Sequence, residues 1–399
     1  MNFDDAPADA ELRSGLREWL AANHPGEIPR DPDEAFAFRR AWQATMHRDG
    51  WAAPGWPAQW GGRDATIGQL VVYQEELALA SAPTIVNAIG VWNIGPTVLE
   101  HGTEDQKRRW LPGMLSAEEI WCQGFSEPAA GSDLAALQTR AVPDGDDYLV
   151  TGQKVWTSNA HRADRCFLLC RTGSSGPRPF GPSGSGRPPS KHEGMTVLVV
   201  DMHADGVEAR PIRDMAGGED FDEVFLNDVR VPATDRVGEE GNGWRVAMST
   251  LTHERVGTVT YGVQLRQRLD ALMARPEMWP SDPVARRVMD QHLARLATDI
   301  EIIRLIALRA VTKATRGEPP WPEVSLGKLL WSTASQDLAE LSMEGLGPDG
   351  LRLRGDPRAA DDGRWARDEL FMRMTTIGAG TTEVQKNILA ERALGLPRG

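Results

Sequence analysis

Two stretches combine a large aromatic residue, small hydroxyls and turn-forming residues in a way that suits ligand binding. The first, Trp121 to Asp133, reads W-C-Q-G-F-S-E-P-A-A-G-S-D and passes from a short apolar strand into a polar turn. Pro128 prevents a central strand from continuing through it. The second, Lys154 to Asn159, has an apolar approach, a tryptophan and then small hydroxyls. Either stretch alone is typical of an ordinary β-turn. Together they predict two loops that converge on a flat, hydrogen-bonding ligand.

At these residues the chain resembles the acyl-CoA dehydrogenase family of flavoproteins. Ser126 to Asp133 matches the family motif T/S-E-P-x-A-G-S-D, and Lys154 to Asn159 matches K-x-W-x-T/S-N. Gly380 to Lys386 resembles the closing motif G-T-S/T-E-x-Q-R/K. Three motifs in the family's order extend the resemblance over nearly the whole chain.

The resemblance implies an α+β fold of acyl-CoA dehydrogenase type. It predicts an N-terminal helical domain over residues 1–120, a middle β-barrel-like domain over 121–232 and a C-terminal four-helix bundle over 233–399. No G-x-G-x-x-G follows a strand to open a helix, which argues against a Rossmann-type flavin site.

The resemblance also implies FAD as cofactor and assigns residues to it. Phe125 and Ser126 are expected at the pyrimidine end of the isoalloxazine, through backbone and hydroxyl groups. Ser158 is expected near the flavin N5, with Trp156 packed against the ring system. Thr381 matches a threonine that contacts FAD near the closing motif.

The general base is where the sequence departs from the common family pattern. Most members carry glutamate directly before G-T-S/T, but here the run Ile377 to Thr381 places Ala379 there. A minority of the family places its glutamate on a long helix, one residue before an arginine, and Glu254-Arg255 matches that arrangement. Glu254 is therefore the predicted base, with an ordinary charged helix residue as the alternative.

Three further groups are assigned from the resemblance, at or near the substrate. Neighbouring residues on a helix do not face each other, so Arg255 is predicted to be a structural or CoA-facing cation rather than the partner of Glu254. Ser132 is expected near the FAD diphosphate or the pantetheine of CoA. The backbone N–H of Ala379 remains able to donate to the thioester oxygen, because that role needs no side chain.

A second departure concerns the adenine end of FAD. Many homotetrameric members use R-x-x-F-G and a neighbour's Q-x-x-G-G, and the corresponding runs here, Met273 to Met278 and Met343 to Gly350, match neither motif well. This pattern places the chain nearest the members that resemble actinobacterial enzymes of sterol degradation. Such enzymes often combine two related subunits, so a homo-oligomer or a heteromer with a related subunit is expected.

The leading hypothesis is an FAD-dependent dehydrogenase of a bulky or branched acyl-CoA, with electron-transfer flavoprotein as acceptor. One alternative is a flavin oxidase or monooxygenase on the same scaffold. Another is a non-catalytic partner subunit, against which the retained flavin-site residues argue, namely Ser126, Ser132, Trp156 and Ser158.

Composition restricts the class of protein. The chain has 399 residues, of which 41% are hydrophobic, and a net charge of −13, which argues against general nucleic-acid binding. It has no apolar run that could span a bilayer, and the acidic N-terminus lacks signal-peptide features. Three cysteines cannot form a disulfide framework, and eight histidines lack metal-ligand spacing. A cytoplasmic location is expected.

Hydrophobic periodicity predicts helices, then strands, then helices. Helices are predicted over 11–22, 33–48, 70–80, 87–101, 244–274, 284–313, 324–343 and 364–374, and strands over 136–142, 148–151, 165–171, 195–200, 207–212 and 224–231. Asp144 to Asp147 is a predicted hairpin turn. Residues 172–194, rich in Gly, Pro and Ser, are predicted to form a mobile loop.

Overall fold

A computed structural model describes residues 6–172, 191–256, 260–275 and 279–397. The side chains of 254–256 and 260 lie outside the described residues, as does most of the predicted loop over 172–194. Helices come first along the chain, then a sheet, then helices again. This order is the one expected of an α+β chain with segregated layers.

The N-terminal part contains helices that pack on a tryptophan-rich core. They are α1 (Pro7–Asn23), α2 (Pro32–Arg48), α3 (Ile67–Leu79), α4 (Gly95–His101) and α5 (Glu104–Ser116). Helix α5 begins with a capping box, in which the Thr103 and Gln106 side chains each accept from the other's backbone N–H. In the loop over 50–62, Trp51 and Trp56 are buried in the core, so their rings anchor that loop.

The middle part forms one mixed sheet. Its strands are β1 (Trp121–Gly124), β2 (Arg140–Asp144), β3 (Asp147–Ser158), β4 (Arg165–Arg171), β5 (Met195–Asp201), β6 (Val207–Ile212), β7 (Phe221–Pro232) and β8 (Arg236–Val237). They follow the order β6-β7-β3-β2-β4-β5-β8, with β1 parallel to β4. The predicted hairpin is confirmed, because Asp144 pairs with Asp147. The predicted strand over 136–142 began too early, since Leu134–Ala136 forms a 3₁₀ turn.

The C-terminal part is helical. It contains α6 (Gly243–Val256), α7 (Thr260–Met273), α8 (Pro283–Thr315), α9 (Trp321–Leu346), α10 (Arg364–Phe371) and α11 (Thr382–Ile388). The helix predicted over 244–274 corresponds to α6 and α7, with 257–259 between them outside the described residues. Leu269 of α7, Leu296 of α8 and Leu338 of α9 share one buried core.

Helix α6 connects the sheet to the N-terminal helices. At its first residue, Gly243, a Cβ atom would lie only 2.6 Å from the backbone of Thr196 in β5, so only glycine permits this approach. Further along, the Thr97 hydroxyl of α4 donates to Thr250 over 3.1 Å. None of the helices in the described ranges is long and apolar enough to cross a membrane.

Candidate active site

The first predicted loop begins where β1 ends. Glu127 and Ala130 close a tight turn by exchanging two backbone hydrogen bonds of 3.0 Å around Pro128. Phe125 is buried and Ser126 is half-buried. Among the described residues, the hydroxyls of Ser126 and Ser132 have no hydrogen-bond partner in the protein. They are therefore available to a ligand.

The second predicted stretch, Lys154 to Asn159, is not an independent turn, because β3 continues through Ser158. Its pairing with β7 shifts between Lys154 and Thr157, which marks a β-bulge. Trp156 lies in this bulge with a left-handed φ of 60° and a 60% exposed side chain. Its indole meets Phe221 edge-on, with ring centroids 6.2 Å apart. A bulge re-aims side chains, which explains how a strand presents an aromatic ring and the Ser158 hydroxyl to a ligand.

A buried ion pair joins these two stretches. The Lys154 ammonium is fully buried and donates to the Phe125 carbonyl over 3.1 Å and to Glu127 Oε1 over 2.8 Å. Glu127 also accepts from the backbone N–H groups of Gln138 and Thr139, at 2.6 and 2.8 Å. Burial opposes ionisation of Glu127, but the Lys154 charge and these donors outweigh it and lower the pKa of the carboxyl. Burial lowers the pKa of Lys154, and Glu127 opposes that shift.

Neither Glu127 nor Lys154 was assigned a role from the sequence, although both lie inside the two motifs. The available signal was one charged residue within each motif, Glu127 in the first and Lys154 in the second, and these two charges are opposite. Such residues are almost never fully buried unless they are paired.

The third site segment follows α10. Met372–Thr376 forms a 3₁₀ turn, and Ala379 then adopts a left-handed φ of 54°, which is uncommon for a residue other than glycine. Its carbonyl accepts from the Gln385 side chain over 3.0 Å. Its N–H donates no hydrogen bond within the described part of the chain. Thr381 caps α11 by accepting from Val384 N over 3.2 Å, and its own hydroxyl hydrogen remains free to donate.

Asp220 connects the end of β3 to the C-terminal helices through its backbone carbonyl and its side chain. The Asp220 carbonyl accepts from Asn159 N, directly after Ser158, over 3.1 Å. The Asp220 side chain accepts from Arg367 of α10 over 3.2 Å. The end of β3 and the helix that leads to Ala379 are thus held at the same boundary between sheet and bundle.

The predicted base, Glu254, and Arg255 occupy backbone positions in α6, but their side chains lie outside the described residues. Position 254 follows Thr250 by four residues and Ala247 by seven, so the three positions share one stripe of the helix. A polar cavity of about 320 Å³ lies on another stripe of α6, beside α4. It is lined by Glu100, Arg245, Met248, Ser249, Thr252 and His253.

The two runs that correspond to the family's adenine-end motifs are described only in part. Arg275 pairs with Asp361, and residues 276–278 lie outside the described ranges. After α9, Gly347–Leu351 forms a 3₁₀ turn.

These features suit a flat heteroaromatic group. The ends of β1 and β3 contribute the exposed Trp156 indole and the uncommitted hydroxyls of Ser126 and Ser132 beyond β1. The C-terminal helical part contributes a free backbone N–H at Ala379 and the Thr381 hydroxyl. An isoalloxazine offers one apolar face and several hydrogen-bonding atoms, so the residues present fit a flavin.

Comparison with known proteins agrees with this geometry. Family models described as the acyl-CoA dehydrogenase N-terminal, middle and C-terminal domains match residues 7–118, 122–229 and 241–394. The chain is 40% identical to acyl-CoA dehydrogenase IpdE1 of Mycobacterium tuberculosis over 97% of this chain and 98% of that protein. It is 36% identical to acyl-CoA dehydrogenase FadE26 of the same organism over 100% and 99%.

Two solved structures share the whole fold. The Tcur3481-Tcur3483 steroid ACAD superposes with a TM-score of 0.85 at 29% identity, covering 100% of both chains. The ChsE4-ChsE5 complex from Mycobacterium tuberculosis superposes with a TM-score of 0.83 at 33% identity, again over 100% of both chains.

The chain belongs to the acyl-CoA dehydrogenase family of FAD-dependent oxidoreductases. Its nearest resemblance to members of the sterol-degradation type, predicted from the motifs, is confirmed by these relatives, as is the α+β fold. FAD is the cofactor that the family implies, and the residues described above suit it.

Proposed function

We propose that this chain catalyses the α,β-dehydrogenation of a bulky or branched acyl-CoA to the 2-enoyl-CoA. The observation that carries the proposal is the Ala379 segment. Ala379 has a left-handed backbone conformation, and its N–H donates no hydrogen bond in the described part of the chain. Most of the family has a carboxylate at this position, so in this proposal the general base lies at another position.

Residues of this chain are assigned to the α-proton, the thioester oxygen and the CoA portion of the substrate. Glu254 takes the α-proton as general base. The Ala379 N–H donates to the thioester oxygen and stabilises the enolate-like charge that develops there. Ser132 and Arg255 bind the CoA portion. When bound, FAD supplies the acceptor for the hydride that leaves the β-carbon.

The same segment supports a bulky acyl group. Gly378 and Ala379 replace the tyrosine and glutamate of the common Y-E-G-T motif. A Cβ atom added at Gly378 would meet only Met374, no closer than 3.5 Å. Two large side chains are therefore absent beside the proposed reacting carbon. The similarity to the Tcur3481-Tcur3483 steroid ACAD supports a large substrate.

We further propose that the chain works in the cytoplasm, with electron-transfer flavoprotein as acceptor and a related subunit as partner. The ChsE4-ChsE5 and Tcur3481-Tcur3483 structures each combine two named chains, which supports a heteromer. A non-catalytic partner subunit is the second candidate function, because Ala379 cannot accept a proton. The uncommitted hydroxyls of Ser126 and Ser158 favour the catalytic assignment.

The test is the rate of flavin reduction under anaerobic stopped flow. The protein, with its partner subunit if required, is mixed with CoA thioesters of butanoate, 2-methylpropanoate, cyclohexylpropanoate and a steroid-ring propanoate. Glu254→Gln should reduce the rate about 10²–10⁴-fold while acyl-CoA still binds. Ala379→Glu in the Glu254→Gln background should recover part of the rate. Glu100→Gln, which removes a carboxylate at the separate cavity beside α6, is the control. A wild-type rate in Glu254→Gln would remove Glu254 from the mechanism.

A further inference from the structure

One face of α9 donates side-chain hydrogen bonds to the backbone of the turn that leads to Ala379. Lys328 is 3% exposed, and its ammonium donates to the Thr375 carbonyl over 2.7 Å. The Ser332 hydroxyl, one turn later, lies 2.8 Å from the same carbonyl and 2.8 Å from the Lys328 carbonyl, so its single hydrogen is shared between these two acceptors. Gln336, one further turn along, donates to the Met372 carbonyl over 3.1 Å. Residues four apart on a helix share a face, so these side chains form a single row under the 3₁₀ turn.

This row lies against the turn that leads to the Ala379 N–H. The turn continues directly into the site segment, because the N–H groups of Ile377 and Gly378 both donate to the Met374 carbonyl over 2.9 Å. On the far side, Gln385 donates to the Ala379 carbonyl over 3.0 Å. The backbone is thus tied four residues before Ala379 and at Ala379 itself.

Lys328 places a buried ammonium on a backbone carbonyl. A charged donor makes a shorter and stronger hydrogen bond than a neutral one. It therefore restrains the turn against the strain of a left-handed alanine four residues later.

We infer that Lys328, assisted by Ser332, is a positioning residue that sets the Ala379 N–H against the substrate thioester oxygen. The inference rests on the proposed function, since it assumes that this N–H contacts the substrate. In this role Lys328 needs no contact with the reacting atoms. It acts through the Thr375 carbonyl and the backbone between Thr375 and Ala379.

The first measurement needs no substrate. Amide hydrogen exchange over 372–381 is compared in the wild type, Lys328→Met, Lys328→Arg and Ser332→Ala. Loss of a charged hydrogen bond should raise exchange in this segment about tenfold or more in Lys328→Met, with a smaller rise in Ser332→Ala and partial protection in Lys328→Arg. The control is Glu323→Gln, since Glu323 is a buried charged residue of α9 that pairs with Arg309 and Lys313. Equal exchange in Lys328→Met and the control would overturn the inference.

The second measurement reports the thioester contact. The acyl-CoA that reduces the wild type fastest is labelled with ¹³C at the thioester carbonyl, and its infrared band is recorded when bound. Lys328→Met should move the band back toward its position in water and reduce the flavin-reduction rate about 10–100-fold, with little change in acyl-CoA affinity. Lys328→Arg should restore part of both. An unchanged band and rate would overturn the inference.

The outcomes separate the inference from the proposed function. A wild type that no acyl-CoA reduces refutes the proposed function, and the exchange experiment then still decides whether Lys328 holds the segment. A wild type that is reduced, with Lys328→Met indistinguishable from Glu323→Gln, refutes only the role of Lys328. If Lys328→Met does not fold, Ser332→Ala decides in the same two measurements, because it removes one bond to Thr375 and keeps the charge.

Discussion

At the scale of single residues, the exposed indole of Trp156 is a strong indication of a ligand surface. A left-handed backbone is uncommon for tryptophan. Its 60% exposure leaves a large apolar ring in water, which is unfavourable unless a ligand covers the ring. Trp156→Ala should therefore weaken FAD binding about 10–100-fold, as expected for losing an aromatic packing surface. Fluorescence titration of the apoprotein with FAD measures this change.

Ser158→Ala should behave differently from Trp156→Ala. One neutral hydrogen bond contributes about 0.5–1.5 kcal/mol, so flavin should be retained and its rate of reduction should change. The matched control is Thr151→Ala, which removes another β3 hydroxyl that is bound to Asp228. A Ser158→Ala protein that loses its flavin altogether would show that this hydroxyl does more than make one contact.

The sequence could identify the positions of the site but not their geometry. Motif spacing predicted Ser126, Trp156 and Ala379 as site positions, since residue type and order can be read without coordinates. The left-handed backbones of Trp156 and Ala379 were not predictable, because neither is glycine and nothing local favours that conformation. They depend on contacts from distant elements, such as β7 opposite Trp156 and α11 beside Ala379.

At the scale of elements, the Glu127–Lys154 pair makes the β1 turn and the end of β3 one unit. Glu127→Gln should leave Lys154 buried without its counter-ion and reduce the free energy of unfolding by about 3–5 kcal/mol. Glu127→Gln with Lys154→Met removes both charges and should recover part of that loss. Chemical denaturation of the three proteins measures both changes. Equal stability of Glu127→Gln and the wild type would contradict the coupling.

The same pair predicts a pH dependence. The folded pKa of Glu127 lies below its ordinary value of 4.5, so the folded state binds fewer protons than the unfolded state in this range. The pair's contribution is complete above the unfolded pKa and is lost as the pH falls through the folded pKa. The wild type should therefore lose more stability than the doubly substituted protein between about pH 5 and pH 3. Parallel pH profiles of unfolding would contradict this assignment.

Element types were predictable where one period dominated, as in the helices over 284–313 and 324–343, which correspond to α8 and α9. The end of β3 was not, because the bulge at Trp156 breaks the alternation that identifies a strand. Its pairing partner, β7, lies more than sixty residues away along the chain. Only the assembled sheet shows that Lys154 to Ser158 is strand.

At the scale of the whole molecule, helix α6 joins the sheet to the N-terminal helices. It packs on β5 through Gly243 and contacts α4 through Thr250, while α9 supports the Ala379 segment from the bundle. The proposed base and the proposed N–H donor therefore come from separate helical elements. Their relative position depends on how the C-terminal helices pack against the sheet. The Arg367–Asp220 contact lies at the boundary between them.

The bundle also presents apolar side chains to solvent. Ile302 and Leu305 of α8 and Leu326 of α9 are 40%, 38% and 40% exposed, near the contact between Gly327 and Ile306. Clustered exposed apolar residues indicate an association surface. We expect the protein to sediment as a dimer or larger, alone or with a related subunit, at micromolar concentration.

Leu305→Glu combined with Leu326→Glu should shift the protein toward monomer, because burying two carboxylates in an apolar interface is strongly unfavourable. The matched control is Leu79→Glu, which changes a 65% exposed leucine of α3 in the N-terminal part. Analytical ultracentrifugation gives the state of each protein, and flavin absorbance at the sedimenting boundary shows whether FAD stays bound. If association completes the FAD site, the doubly substituted protein should lose flavin as it dissociates, whereas Leu79→Glu should keep it. A wild-type monomer that binds FAD both alone and when co-expressed with a related subunit would contradict the oligomeric assignment and would place a complete flavin site within one chain.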